Sequence, residues 1–405
     1  MTQKRICLAC GKDELYQVLD LGQQPLANHL LPHADDAYQT HPLGLMACPF
    51  CGHGQLSFFV PPAELFDHYL YASGTSLSLG DYFDWFADEA ARHFPQKASV
   101  LELACNDGSL LRRLKDKGFA TLGVDPAQNL VKEAQESGLE VLCDYWPCLK
   151  QDNARTFDLI IAMNVVAHTP DPLTFLKGVA AALSDNGVCV VQTSQARMLM
   201  NGEFDTIYHE HCSFFVPRSF AALAARAGLV VRKTRLVDVH GVSFAFILTK
   251  PDSTKNIDTF LTSAPYAVDP QGITDKLSGD AKQHQHFGET ARARIEKVRT
   301  LLTEHRSTGR KICFVGAAAK AMVFLHALGI KPDALYDEAP LKIDRHVPSL
   351  GCKIDALPTI AEQEGPILVV ISAWNFRKEL AAKTAKHLAG RDVRFLVYFP
   401  NVEEF

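Results

Sequence analysis

Ser99-Val100-Leu101-Glu102-Leu103-Ala104-Cys105-Asn106-Asp107-Gly108-Ser109 reads as a short apolar strand that runs into a tight polar turn. Asp107-Gly108-Ser109 then opens a helix through Leu110-Leu111-Arg112-Arg113-Leu114. Ala120 to Val124 is the next strand and ends in Asp125; a helix follows from Pro126 to about Ser137. Further strands are predicted at Leu139–Leu142, Phe157–Met163 and Gly187–Gln192, with a helix from Asp171 to Leu183. Strand and helix alternate, which implies a parallel sheet. In a doubly wound sheet, ligands sit at the carboxyl ends of the strands.

Working outward, two α/β units and one cysteine-bearing unit account for the 405 residues, a length too great for one ordinary core. After Lys250, Pro251-Asp-Ser-Thr-Lys-Asn reads as a linker, and polar helical sequence runs to about Arg306. A second α/β unit begins at Arg310-Lys-Ile-Cys-Phe-Val315 and runs into Gly316-Ala-Ala-Ala-Lys320 and an alanine-rich helix. Its later strands are predicted at Ala334–Tyr336, ending in Asp337, at Ile367–Ser372 and at Val393–Tyr398. The expected division is 1–64, 65–250 and 251–405.

The N-terminal unit carries Cys7-Leu-Ala-Cys10-Gly11 and Cys48-Pro-Phe-Cys51-Gly52. Glycine after each second cysteine permits the tight turn that aims backbone N–H groups at sulfur. The spacing between the pairs exceeds that of an ordinary ribbon, so an expanded zinc ribbon is expected. Four thiolates fill tetrahedral zinc and leave no position for a substrate, making the metal structural. A redox pair is the competing reading. His29, His33, His41 and His53 are read as loop residues rather than ligands. The other seven of the eleven cysteines are scattered singly, the pattern of a reduced, cytoplasmic compartment.

With 47% apolar and 21% charged residues, the chain reads as soluble and globular. No apolar run is long enough to cross a bilayer, and the first residues lack the apolar stretch of a signal peptide. A net charge of −5 argues against wrapping nucleic acid.

The turn at Glu102 to Gly108 has only one glycine and fails the pattern that cradles a pyrophosphate. Carboxylates and an amide there suit a cofactor with hydroxyls and a positive centre, which S-adenosyl-L-methionine provides. Asp125 is placed to accept hydrogen bonds from ribose hydroxyls. Asp144-Tyr145-Trp146 offers an acceptor for the adenine amine and aromatic faces for stacking. The alternative is that Asp107 and Asp125 cap helices.

The densest chemistry is Phe204-Asp205-Thr206-Ile207-Tyr208-His209-Glu210-His211, with two imidazoles, two carboxylates and a phenol in eight residues. Buried titratable groups must find partners, and a proton-transfer site is one place that needs such density. A second metal site there is disfavoured, because adjacent residues make poor co-ligands and the H-E-x-x-H spacing is absent.

These pieces together resemble the zinc-containing sugar C-methyltransferases that act on nucleotide-linked keto-deoxysugars. The resemblance runs through the paired C-x-x-C-G unit, Gln24-Pro25-Leu26-Ala27-Asn28 and Tyr71-Ala-Ser73-Gly74. It continues through Glu102 to Gly108, Asn164-Val-Val-Ala-His168, Phe204 to His211 and Gly316 to Lys320. It implies methyl transfer from S-adenosyl-L-methionine to a ring carbon beside a keto group, by way of a base-generated enolate. It implies His211 as the base, Tyr208 and Glu210 as its partners, and His168 and Tyr71 as further active-site residues. Glu102, Ala104, Asn106, Asp107, Gly108, Asp125, Asp144, Tyr145, Trp146 and Asn164 would then hold the cofactor. Ser73, Ser76 and Lys320 would hold the sugar nucleotide, with Lys320 near the diphosphate and the last unit helping to bind it. A monomer is expected. After the fifth strand, such proteins often carry a glutamate and a Pro-Tyr pair, whereas this chain reads Gln192-Thr-Ser-Gln-Ala-Arg197; the identity of the sugar is therefore not carried over. Two alternatives stand beside this reading: methyl transfer to oxygen or nitrogen of a nucleotide sugar, and a zinc-ribbon nucleic-acid binder with a methyltransferase-like fold.

Overall fold

The computed structural model describes residues 6–61, 64–65, 77–149, 155–268, 271–274 and 276–405. Tyr71, Ser73 and Ser76 lie outside the described residues. Three sheets organise the chain.

The N-terminal strands are β1 (Tyr16–Pro25), β2 (Thr40–Ala47) and β3 (Gly54–Leu56), antiparallel neighbours in sequence order. The central unit supplies β4 (Ser99–Leu103), β5 (Ala120–Asp125), β6 (Val141–Cys143), β7 (Phe157–Met163) and β8 (Leu183–Thr193). These pair in parallel in the order β8-β7-β4-β5-β6, the crossover order of a doubly wound sheet. The third strand falls later than the predicted Leu139–Leu142, because Leu139 turns inward beneath Gly108. The helix Pro172–Ala182 starts where expected; the Asp171 side chain accepts the Thr174 N–H at 3.0 Å.

The next strand, β9 (Ser213–Phe214), does not join the central sheet. It pairs with β3 and completes the N-terminal sheet. The chain then returns through β10 (Val230–Val237), β11 (Ser243–Thr249) and β12 (Ala267–Val268), which extend the central sheet antiparallel beyond β8.

The helix Ala281–Ser307, capped by Asp280 accepting from Gln283 N–H at 2.8 Å, leads to the second α/β unit. Its strands are β13 (Lys311–Val315), β14 (Ala334–Asp337), β15 (His346–Val347), β16 (Cys352–Ala356), β17 (Ile367–Ile371), β18 (Val393–Val397) and β19 (Glu403–Glu404). The parallel core runs β16-β14-β13-β17-β18. The alanine-rich helix Ala319–Leu328 buries Met322, Phe324 and Leu325.

One face of the central sheet packs Val100, Ile161, Val190 and Ala245 against Tyr82 and Phe86 of the helix Leu77–His93. The opposite face, with Leu101, Ile160, Cys189 and Phe246, belongs to a core shared with the N-terminal unit and the second α/β unit. Among the described residues no helix is long and apolar enough to cross a membrane.

Candidate active site

Cys7, Cys10, Cys48 and Cys51 bring their sulfurs within 4.8 Å of one another. The Cys7–Cys51 and Cys10–Cys48 sulfurs are each 3.6 Å apart, far beyond a disulfide and close to the ~3.8 Å edge of a tetrahedron with ~2.3 Å Zn–S bonds. Gly11 and Gly52 take φ of +79° and +73° at the two turns. The donor set fits structural zinc and leaves no fifth group for substrate. The clip is bound directly to the central unit. Arg226 donates to the Ala9 carbonyl at 2.7 Å, Arg218 to the Cys51 carbonyl at 3.2 Å, and Leu56 N–H to the Cys212 carbonyl at 3.1 Å.

At the carboxyl end of β4 the turn is forced into the left-handed region three times, at Ala104 (φ +55°), Asn106 (+54°) and Gly108 (+74°). A side chain at position 108 would also meet Leu139 Cδ1 at 2.4 Å, so packing as well as conformation requires glycine there. Asp125 Oδ2 accepts the Asn106 N–H and its Oδ1 accepts the Ala127 N–H, both at 2.8 Å. Asp107 Oδ1 accepts the Ser109 N–H at 3.1 Å. The carboxylates thus shape the turn. Asp125 is buried, and each of its oxygens keeps a second lone pair for a ligand.

Glu102 is 5% exposed and its Oε2 has no hydrogen-bond partner among the described residues. Burial, reinforced by Asp107 and Asp125, pushes its carboxyl well above the usual range. A buried, unpartnered carboxyl oxygen is costly unless a ligand satisfies it. Asn164, beyond β7 with φ +54°, likewise has an unpartnered Oδ1. These groups fit a cofactor with hydroxyls, an amino group and positive charge.

The Phe204–His211 segment is a turn rather than a helix or strand, except for one 3-10 turn at Phe204–Thr206. His211 Nδ1–H donates to the Thr206 carbonyl at 2.7 Å, which fixes the tautomer and leaves Nε2 with a lone pair. Tyr208 Oη donates to that nitrogen at 2.9 Å. His168 stands edge-on to the His211 ring, with centroids 4.8 Å apart. Burial, then the neighbouring His168 and Lys320, hold the His211 imidazole well below its usual pKa, so it is neutral at physiological pH. Burial lowers His168 to about 4. Glu210 accepts from Asn28 Nδ2 at 2.6 Å, and burial raises its carboxyl. His209 points away toward His41, with ring centroids 5.7 Å apart; burial lowers it to about 4.

The structure brings His211, Tyr208, Glu210 and His168 together with the end of β7. Lys320, at the start of the helix Ala319–Leu328, lies over the Trp374 ring at 5.0 Å and near enough to His211 and Asp205 for its charge to act on both. The Trp146 indole N–H donates to the Phe175 carbonyl at 3.0 Å, which ties the edge of the ring to the helix Pro172–Ala182. Tyr145 is 52% exposed and Asp144 is exposed, with Asp144 accepting the Tyr145 N–H at 2.7 Å. Sequence reasoning assigned no role to Asn28, to Asp205, whose Oδ2 accepts from Trp374 Nε1 at 2.7 Å, or to Tyr82, whose hydroxyl donates to Gln192 Oε1 at 2.5 Å. Asn28 and Asp205 lay inside motifs already noted; Tyr82 carried no local signal.

The doubly wound sheet, the kinked acidic turn after β4 and the four-cysteine clip define a zinc-containing S-adenosylmethionine-dependent methyltransferase. Family descriptions match in sequence along the chain: a zinc binding domain over residues 7–66, a methyltransferase domain over 77–234, and a C-methyltransferase C-terminal domain over 239–400. The C-methyltransferase NovU of Streptomyces niveus is 27% identical over 407 aligned positions, covering 97% of this chain and 95% of that protein. A ubiquinone biosynthesis O-methyltransferase of Aeromonas salmonicida is 23% identical over 192 positions, covering 43% of this chain and 78% of its own. Along nearly its whole length the chain is similar to S-adenosylmethionine-dependent C-methyltransferases.

Proposed function

We propose that the protein methylates a ring carbon beside the keto group of a nucleotide-linked keto-deoxysugar. The observation that carries this reading is the Tyr208–His211 dyad, a neutral, tautomer-fixed imidazole buried at the carboxyl end of the sheet. An oxygen or nitrogen acceptor already has a lone pair to methylate. Carbon beside a ketone has none until a base removes its proton.

When bound, S-adenosylmethionine supplies an electrophilic methyl group carried on a sulfonium. Glu102, Asn164 and Asp125 would hold it through the acceptor positions described above. His211 Nε2 ends with the proton taken from the carbon, and the Tyr208 hydroxyl, which already engages that lone pair, shares in the transfer. The C–H bonding pair becomes the new C=C bond, and the carbonyl π pair moves onto oxygen. Thr206 keeps Nδ1–H bonded throughout, so the imidazolium forms without reorienting. Glu210, oriented by Asn28, offers the sugar an acceptor or, when protonated, a donor. Lys320 supplies the positive charge that a diphosphate requires. We assign the enzyme to the cytoplasm as a monomer.

Incubation with S-adenosylmethionine and thymidine-, guanosine- and cytidine-diphosphate keto-deoxysugars tests this. NMR of the product should show a new methyl group on carbon beside the former keto position. An O-methyl or N-methyl product would overturn the assignment.

A further inference from the structure

The reaction just described requires a hydrogen-bond donor for the carbonyl oxygen as it becomes an enolate; Glu210 donates only when protonated, and the Tyr208 hydroxyl is engaged with His211. We propose that the side-chain amide of Gln192 is that donor, held in place by Tyr82. This rests on the C-methylation reading above.

Gln192 is 1% exposed, and its Nε2 has no hydrogen-bond partner among the described residues. The other end of the amide is engaged: Tyr82 Oη donates to Oε1 at 2.5 Å. Since Oε1 accepts, both hydrogens on Nε2 are presented as donors in a fixed direction. Two unused hydrogens in a buried setting are costly in the free protein and become useful once an acceptor arrives.

The sheet register places this amide. Gln192 is level with Met163 on β7, and the Asn164 N–H donates to the Gln192 carbonyl at 2.9 Å, so the residue stands at the carboxyl edge. Glu102 pairs with Ile161 on the other side of β7. With side chains alternating along each strand, Glu102, Met163 and Gln192 share one face. Glu102 and Gln192 are two strand spacings apart and staggered by two residues, about 12 Å. Just past β7, the strand between theirs, lies His168, whose ring meets His211 with centroids 4.8 Å apart; the Cys212 thiol reaches the His168 carbonyl at 3.5 Å. Glu102, His168 and Gln192 thus lie at or just past the ends of three adjacent strands in that order, with His211 against His168. An acceptor ring seated over the base meets Gln192 on the side away from Glu102. There a neutral donor opposes the charge growing on oxygen, in a site where water is excluded.

The test uses the full-length zinc-loaded protein in deuterium oxide without methyl donor, with the three nucleotide keto-deoxysugars as probes. Deuterium incorporation beside the keto group is measured at saturating sugar, and S-adenosylhomocysteine affinity is measured separately. Gln192→Met should slow incorporation roughly 100-fold while changing S-adenosylhomocysteine affinity less than about twofold. Tyr82→Phe, which frees the amide to rotate, should slow it about 5- to 10-fold. Incorporation by Gln192→Met at the wild-type rate overturns the proposal. So does a tenfold or greater loss of S-adenosylhomocysteine affinity with incorporation intact, which would assign the amide to the methyl donor instead. Should Gln192→Met lose its thermal transition, Gln192→Leu carries the test, because it fills the site and has no donor in any protonation state; wild-type incorporation there is equally contradictory. Wild-type protein that exchanges none of the sugars overturns the parent reading, a result separable from a variant that exchanges as well as wild type.

Discussion

The two α/β units solve the same backbone problem and leave opposite remainders. In the central unit, Asp125 at the end of β5 accepts N–H groups from Asn106 and Ala127, both at 2.8 Å. In the second unit, Asp337 at the end of β14 accepts from Ala317 at 2.6 Å and Ala339 at 2.8 Å. The same strand-end aspartate ties the first loop to the second in both. Around Asp125, however, Glu102 Oε2, Asn164 Oδ1, Gln192 Nε2 and Thr193 Oγ1 are buried and unpartnered. Around Asp337 the equivalent polar groups are closed. Ser372 Oγ donates to the Gly316 carbonyl at 2.6 Å, Tyr398 Oη to the Ser372 carbonyl at 2.9 Å, and Lys342 stands 3.6 Å from Asp337. The aspartate is a scaffold device and says little about binding. The unsatisfied groups beside it mark the sheet that a ligand completes.

The largest effect that would sharpen this contrast lies in the central unit. His211→Asn should lower turnover on the order of 1000-fold and leave S-adenosylhomocysteine affinity unchanged, as steady-state kinetics and calorimetry would show. Unimpaired turnover would remove the dyad from the chemistry.

Zinc comes next. The strand that leaves His211 completes the ribbon sheet, with Gly54 opposite Phe214 and Gln55 opposite Ser213. Chelation or Cys51→Ser should therefore do more than loosen the N-terminal unit. It should lower the thermal midpoint by about 10 °C or more and abolish turnover as the β3–β9 pairing opens. A chelated protein that kept full activity and its near-ultraviolet spectrum would separate the clip from the site.

A smaller effect compares the two sheets directly. Glu102→Gln should weaken S-adenosylhomocysteine about 10- to 30-fold, whereas Asp337→Asn should leave it unchanged and lower only the thermal midpoint, by a few degrees on the order of 1–2 kcal/mol. Equal losses of affinity from both would erase the distinction.

The smallest effect concerns the contact between the units. Burial raises the Asp205 carboxyl to about 7, while Lys320, Trp374 and Arg294 oppose the shift and Glu203 adds to it. A folded-state pKa above the unfolded one means stability fully present below about pH 4 and progressively lost as pH rises through 7. Asp205→Asn should therefore gain stability relative to wild type between pH 5 and pH 8, on the order of 1 kcal/mol, in paired thermal melts. A difference that does not change with pH would place the carboxylate charge elsewhere.

Much of this was legible in sequence. The β4 strand and its polar turn, the strand-end Asp125, the two C-x-x-C pairs and the dense segment at 204–211 are local patterns with local causes. Less legible were features made by residues distant in sequence. A two-residue strand such as β9 carries no periodicity, so nothing revealed that it would leave the central sheet for the ribbon. Asn28 meets Glu210 across 182 positions, and Tyr82 meets Gln192 across 110. The Trp146 indole N–H meets the Phe175 carbonyl across 29 positions, a partner that the local pattern at 144–146 did not show. The packing need for glycine at 108 comes from Leu139, thirty-one residues on, which no local pattern announces.

The most direct test of the central claim is solvent deuterium wash-in at the carbon beside the keto group, with the sugar nucleotide bound and no methyl donor present. Wild-type protein should exchange that hydrogen, and His211→Asn should not. No exchange by the wild type, together with an O-methylated product once methyl donor is added, would contradict a carbon-acid mechanism built on the Tyr208–His211 dyad.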